Sequence, residues 1–299
     1  MVFGQAAQQA WPPFVLVTGL LLIGLVAHAD GLFARAGDLL ERMPGPPTAL
    51  LAGGIGLVAV VTAILNLDTA VVFLTPVLVL AARARGADER PFLYAAVYLA
   101  NASSLYLPGS NLTNLLVLAR DPLPGGTFAA RLLAPALAAT AATALGVWLL
   151  FRRELGGPPG RRAPARPTEA ARRRPGVGGP AALAAAGLTV ALPDPALPVL
   201  GVGAAAVAVG VARGELDLRG VARAVGPAVL AGLFLASVAL GALARVWSGP
   251  AGLLAGAGRW ETAAIGAVAA VGLNNLPATV LLSAQAPPHP RALLLGLNL

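Results

Sequence analysis

The sequence has no cysteine, no lysine, two histidines and only 11% charged residues among 299. Without cysteine there are no disulfides, no thiolate metal sites and no cysteine nucleophile. With only His28 and His289 to draw on, a histidine-rich metal centre is excluded too. The scarcity of charge is the most informative of these absences. Soluble domains run at about 25% charged and about 45–50% apolar residues, whereas this chain is 57% apolar with a mean hydropathy of +0.77. Thirteen acids and 21 arginines could not cover so much apolar surface in water, so most of the chain has lipid as its solvent.

The net charge of +8 is not a nucleic-acid signal once it is mapped. Residues 152–180 hold eight arginines, two acids, six prolines and six glycines, the composition of a solvated linker. Arginine-rich loops mark the cytoplasmic side, so this segment is placed inside as a topology determinant, with contact to anionic lipid secondary. No nucleophile–base pair is visible, and the glycine-rich patches lack the lysine of a phosphate loop; an enzyme is not expected. No arginine precedes Arg35, so residues 1–29 lack the charged start of a signal peptide.

About 20 apolar residues cross a bilayer as a helix. The expected order is a span at 11–29, a folded-back stretch at 48–82, a discontinuous helix at 91–119, a span at 128–151, the linker 152–180, spans at 181–192, 196–212 and 226–246, a second folded-back stretch at 260–286, and a helix start at 291–299. Residues 48–82 are too long for one straight helix, and their polar cluster Asn66-Leu67-Asp68-Thr69 falls at the middle. They are either a re-entrant hairpin or two full spans; charge parity does not separate these. The 91–119 helix is interrupted at Leu107-Pro108-Gly109-Ser110-Asn111, and 260–286 at Asn274-Asn275-Leu276-Pro277. One folded-back segment is entered from inside and the other from outside, which is inverted symmetry. Such transporters hold substrate between broken helices, and unwound backbone survives at that depth only around a cavity or buried in protein.

The candidate substrate or ion ligands are the polar residues of these breaks: Asn66, Asp68, Thr69, Ser103, Ser104, Ser110, Asn111, Thr113, Asn114, Asn274, Asn275 and Thr279. Asp68 is the one carboxylate within a long apolar run, and such residues are functional candidates by default; its competing role is to cap the helical arm 69–82. Ser110 is placed to cap the half-helix 111–119, and two adjacent amides at 274–275 are costly unless bonded. His28, at a span edge, is read as interfacial.

The stretch Leu65-Asn66-Leu67-Asp68-Thr69-Ala70 with Leu74-Thr75-Pro76, then Asn101-Ala102-Ser103-Ser104 with Gly109-Ser110-Asn111-Leu112-Thr113-Asn114, and Asn274-Asn275-Leu276-Pro277 resemble the arsenical pump membrane proteins. These belong to the ion transporter superfamily, with dicarboxylate/sodium symporters and citrate transporter-like permeases. The resemblance implies an all-α polytopic membrane protein of two inverted repeats, 1–151 and 181–299, each with scaffold helices, a re-entrant hairpin and a broken helix. Against that pattern the chain is expected to be incomplete at both ends. It further implies a permease of the inner membrane exporting arsenite or a related small oxyacid by alternating access. Arsenite is mainly an uncharged trihydroxide at neutral pH, which amides and hydroxyls can bind. A dicarboxylate or citrate symporter and a truncated, non-transporting membrane protein are the alternatives. No cofactor is implied beyond a coupling proton or sodium ion. The partners implied are the lipid bilayer, a small anion or oxyacid, a cytoplasmic ATPase subunit and a second copy in a homodimer; nucleic acid is not among them.

Overall fold

Helices account for most of the described backbone because in lipid each N–H and C=O must find its partner within the chain. A computed structural model describes residues 2–156 and 176–298, and among these residues the fold is all-α with no strand. Of the expected cytoplasmic segment 152–180, residues 157–175 lie outside the described residues. The helices are α1 (Val2–Ala29), α2 (Leu32–Arg42), α3 (Pro47–Ile64), α4 (Leu67–Ala84), α5 (Arg90–Ala102), α6 (Leu112–Leu118), α7 (Gly125–Leu155), α8 (Gly178–Ala191), α9 (Ala196–Ala212), α10 (Leu218–Val225), α11 (Pro227–Val246), α12 (Gly249–Ala255), α13 (Arg259–Leu273), α14 (Asn275–Ser283) and α15 (Pro290–Asn298). Five helical stretches are long and apolar enough to cross a membrane: α1, α3, α4, α7 and the run Leu218–Val246. The chain is a polytopic membrane protein.

The interior is largely apolar, yet it also encloses the polar residues of the helix breaks, while large apolar side chains face outward. Asn66, Ser103, Ser104, Ser110, Asn114, Thr279 and Asn298 are fully buried, whereas Trp260 and Val271 are 87% and 89% exposed. Apolar groups facing lipid lose nothing, while a polar group there would lack a partner.

Helix α1 is the hub, packed against α8, α9 and α11 of the second half and against α2, α4 and α6 of the first. Small residues let it approach α9 closely. A Cβ on Gly19 would lie 2.8 Å from the main-chain N of Leu200, and one on Gly203 would lie 2.7 Å from the carbonyl oxygen of Gly19. Helix association in membranes relies on such contacts, since lipid is as apolar as leucine. Gly19→Ala is therefore expected to destabilise the protein by about 1–3 kcal/mol, seen as a lower melting temperature of the detergent-solubilised chain.

The buried Asp30 closes α1 by reaching into the second half, where its Oδ2 accepts from Gly178 N at 2.6 Å and caps the start of α8. In the first half, Arg85 after α4 donates to the carbonyls of Met43 (2.9 Å) and Gly45, tying both ends of the α3–α4 pair together. The charged connection after α9 contains a short amphipathic helix, α10. Asp217 caps its start by accepting from Gly220 N at 2.7 Å, and Gly226 ends it at a left-handed φ of 60°.

Candidate functional site

Three interruptions of helical backbone position the polar residues. Between α3 and α4 the chain breaks at Leu65-Asn66. Asn66, extended at φ −164°, caps α4 by accepting from the N–H of Thr69 at 2.7 Å. Asp68 does not take the competing role of cap; it is the second residue of α4, and its side chain is exposed on the surface of the chain with no hydrogen bond or ion pair. Each arm has 18 residues, which at about 1.5 Å per residue carries the break most of a bilayer's thickness from Arg83, Arg85 and Arg90.

The second interruption separates α5 from α6. It consists of two short 3₁₀ turns, Ser103–Leu105 and Pro108–Ser110. Proline at 108 has no N–H to continue a helix. The cap of α6 is Asn111, whose Oδ1 accepts from Thr113 N at 3.1 Å. Ser110, expected to cap, instead donates to the carbonyl of Ala63 on α3 at 3.2 Å and accepts from Leu107 N at 3.2 Å. Asparagine takes the role because it is the extended residue directly before the helix, from which its side chain reaches forward to the second helical N–H.

The third interruption, between α13 and α14, turns on Asn274, whose φ of 77° makes it the one residue other than glycine at positive φ among the described residues. With ψ at 153° the residue lies outside the left-handed helical basin, in a region that side chains other than glycine's rarely adopt. Its side chain is exposed, whereas Asn275 turns inward and donates from Nδ2 to Asn101 Oδ1 at 3.3 Å. Thr279, fully buried, bonds back to the carbonyl of Asn275 at 2.6 Å.

The second break centres on a residue that sequence patterning did not single out, Asn298 at the end of α15, and the third joins it through Asn101. Its Oδ1 accepts from Asn111 Nδ2 at 2.6 Å and lies 2.9 Å from Ser104 Oγ and 3.4 Å from Thr113 Oγ1. Its Nδ2 donates to Asn114 Oδ1 at 3.1 Å and to the carbonyl of Leu294 at 2.8 Å. Asn101 Nδ2 reaches the Asn298 carbonyl at 3.3 Å, and Asn114 Nδ2 reaches that of Ser104 at 2.6 Å. The result is a buried, neutral network from α5, α6, α14 and α15, with no ionisable side chain in it. It depends on α15 pressing against α13, where a Cβ on Gly296 would lie 2.0 Å from the Ala263 carbonyl oxygen. Ser103 stands apart, 3.3 Å from Thr140 Oγ1 on α7, to which Tyr106 also donates at 3.1 Å.

No hydrogen bond joins the α3–α4 break to the α13–α14 break among the described residues. Each bonds to the interrupted helix between them, the first through Ser110 and Ala63, the second through Asn275 and Asn101. The α3–α4 break holds a second feature: Thr62 Oγ1, Asn66 Nδ2 and Thr69 Oγ1 are buried and have no partner. Thr69 packs against Gly24 of α1, whose missing side chain makes room for it. A cavity of about 590 Å³, lined by Trp11, Pro12, Leu16, Pro108, Thr189 and Asp194 among others, runs from the turn between α8 and α9 to Pro108 at the edge of the second break.

A model of the citrate transporter family matches residues 3–296, nearly the whole chain. The chain belongs to this family. Membership is consistent with the ion transporter superfamily that the asparagine-bearing motifs resemble. A member of the citrate transporter family is a multi-pass membrane transporter for a small anion and not an enzyme.

Proposed function

We propose that the chain is an ion-coupled carrier of a citrate-class carboxylate in the plasma (inner) membrane, working by alternating access, with residues 152–180 on the cytoplasmic side. The two halves act as inverted repeats that meet at the Asn298 network, and the substrate and coupling ion are handled at the breaks around it. The observation that carries the reading is the contrast between the two polar groups: the Asn298 network is bonded internally, while Thr62, Asn66 and Thr69 are buried with unmet capacity. An unpaired buried polar atom costs about 1–3 kcal/mol, so three together in one tip favour a ligand that meets them. The cavity reaches Pro108, in the neighbouring break.

A second reading, export of arsenite, is supported by the absence of any cationic side chain in the network or at the tip. Neutral amides and hydroxyls suit an uncharged trihydroxide, whereas citrate needs a cation to accompany it.

The test is uptake of labelled citrate into liposomes holding the purified protein, with proton or sodium gradients imposed, alongside arsenite tolerance and efflux in cells lacking their own exporter. Gradient-driven citrate uptake is the expected result; arsenite efflux without it would move the assignment to the second reading, and flux of neither would overturn both. In the same assay Asp68→Asn should leave melting unchanged, because Asp68 makes no bond in the structure, and should remove the dependence on the gradient. Full coupling in that variant would exclude Asp68 as the coupling carboxylate.

A further inference from the structure

Where the first turns of α1 meet the ends of α6, α11 and α14, a chamber of about 10 Å³ remains, room for one water-sized sphere. Ala6, Ala10, Leu116 and Val280 give it apolar walls, and its polar groups come from Gln9, Ser237, Arg245 and Ser283. Arg245 donates from Nη1 to the Gly241 carbonyl at 2.6 Å and from Nη2 to Gln9 Oε1 at 2.5 Å. Its Nε is buried with no acceptor, and the fully buried Ser283 Oγ has no partner either. Gln9 Oε1 also accepts from Arg120 Nε at 3.1 Å, so a second guanidinium stands where a carboxylate would balance the first. Among the described residues neither arginine has an acidic partner.

We propose that this chamber binds a monatomic anion of the chloride class. It holds two unmet donors and an uncompensated positive charge, and it is too small for a carboxylate or phosphate. Water accepts from the same two donors but leaves the charge of Arg245 uncompensated, which a bound anion neutralises. The carbonyls of Leu116 and Ser283 are engaged by Gln9 Nε2 at 3.4 and 3.5 Å, and the Ser237 hydroxyl bonds back to Leu233. A bound anion accepts from Arg245 Nε and Ser283 Oγ and needs nothing in return. It thereby fastens α14, the arm that carries Asn275, to α1 and α11. Arg245 also lies in the last turn of α11, where a cation favours the helix dipole with no ligand at all; that alternative predicts no response to chloride.

The experiment is thermal melting of the purified full chain in sodium chloride against sodium gluconate at equal ionic strength, gluconate being too large for the chamber. The wild type should show a saturable upward shift in chloride, reproduced by bromide, and both Arg245→Gln and Ser283→Ala should lose it. Ser283→Ala removes an unpaired buried hydroxyl, so its melting temperature in gluconate should hold or rise, which separates loss of binding from loss of fold. Equal melting of the wild type in chloride and gluconate, or a full chloride shift in Ser283→Ala, would overturn the site.

Discussion

Asn298→Ala should abolish transport and lower the melting temperature of the detergent-solubilised protein, the largest loss expected of any single polar substitution in this chain. The asparagine accepts from Asn111 and Ser104 and donates to Asn114. Truncation leaves Ser104 the Asn101 carbonyl at 2.7 Å, but it leaves Asn111 Nδ2 and Asn114 Oδ1 short of a buried partner, at about 1–3 kcal/mol each. That is a large share of the about 5–15 kcal/mol by which folded proteins are stable. Asn275→Ala is the companion variant, since Asn275 reaches the network through one long bond to Asn101 at 3.3 Å; it should cost much less stability while still perturbing the α13–α14 break. Wild-type flux in Asn298→Ala would show that the network is packing alone.

The positions of the breaks were legible because asparagine, proline and glycine are costly in the middle of an apolar helix. Each of the three interruptions falls on such a cluster, at Asn66, at Pro108–Asn111 and at Asn274. Which residue does the capping was not legible. Asn and Asp cap about equally well, so a two-residue difference in where α4 starts decides between Asn66 and Asp68. Likewise α6 starts one residue later than a Ser110 cap requires. Helix α12 was missed, because Gly249-Pro250-Ala251-Gly252 reads as a turn and the helix is only seven residues long.

Asn298 was hidden for another reason. Its side-chain partners Asn111, Ser104 and Asn114 are 187, 194 and 184 residues away in the chain. No local pattern in 291–299 distinguishes it from the end of a short apolar helix; what gives it its place is the close seating of Gly296 on Ala263, a tertiary contact. Asn101 escaped similarly. It stands in a recognisable polar motif, yet its bonds run to the two elements farthest along the chain, α14 and α15.

Thr69→Val should separate a ligand-binding hydroxyl from an idle one, because the two predict opposite combinations of stability and flux. Valine keeps the branched shape that packs against Gly24 and removes only the hydroxyl. In the structure that hydroxyl is buried and makes no hydrogen bond. Replacing an unmet buried group by an apolar one of the same shape is neutral or stabilising, so the melting temperature should hold or rise. If Thr69 supplies a ligand to the substrate or coupling ion, uptake should nonetheless fall at least about tenfold, the equivalent of about 1.4 kcal/mol of lost binding. Thr62→Val, which removes a second unmet hydroxyl one turn before Asn66, should behave the same way. A protein that melts higher and transports as well as the wild type would mean that these hydroxyls meet no ligand, and the tip would then owe its polarity to the Asn66 cap alone.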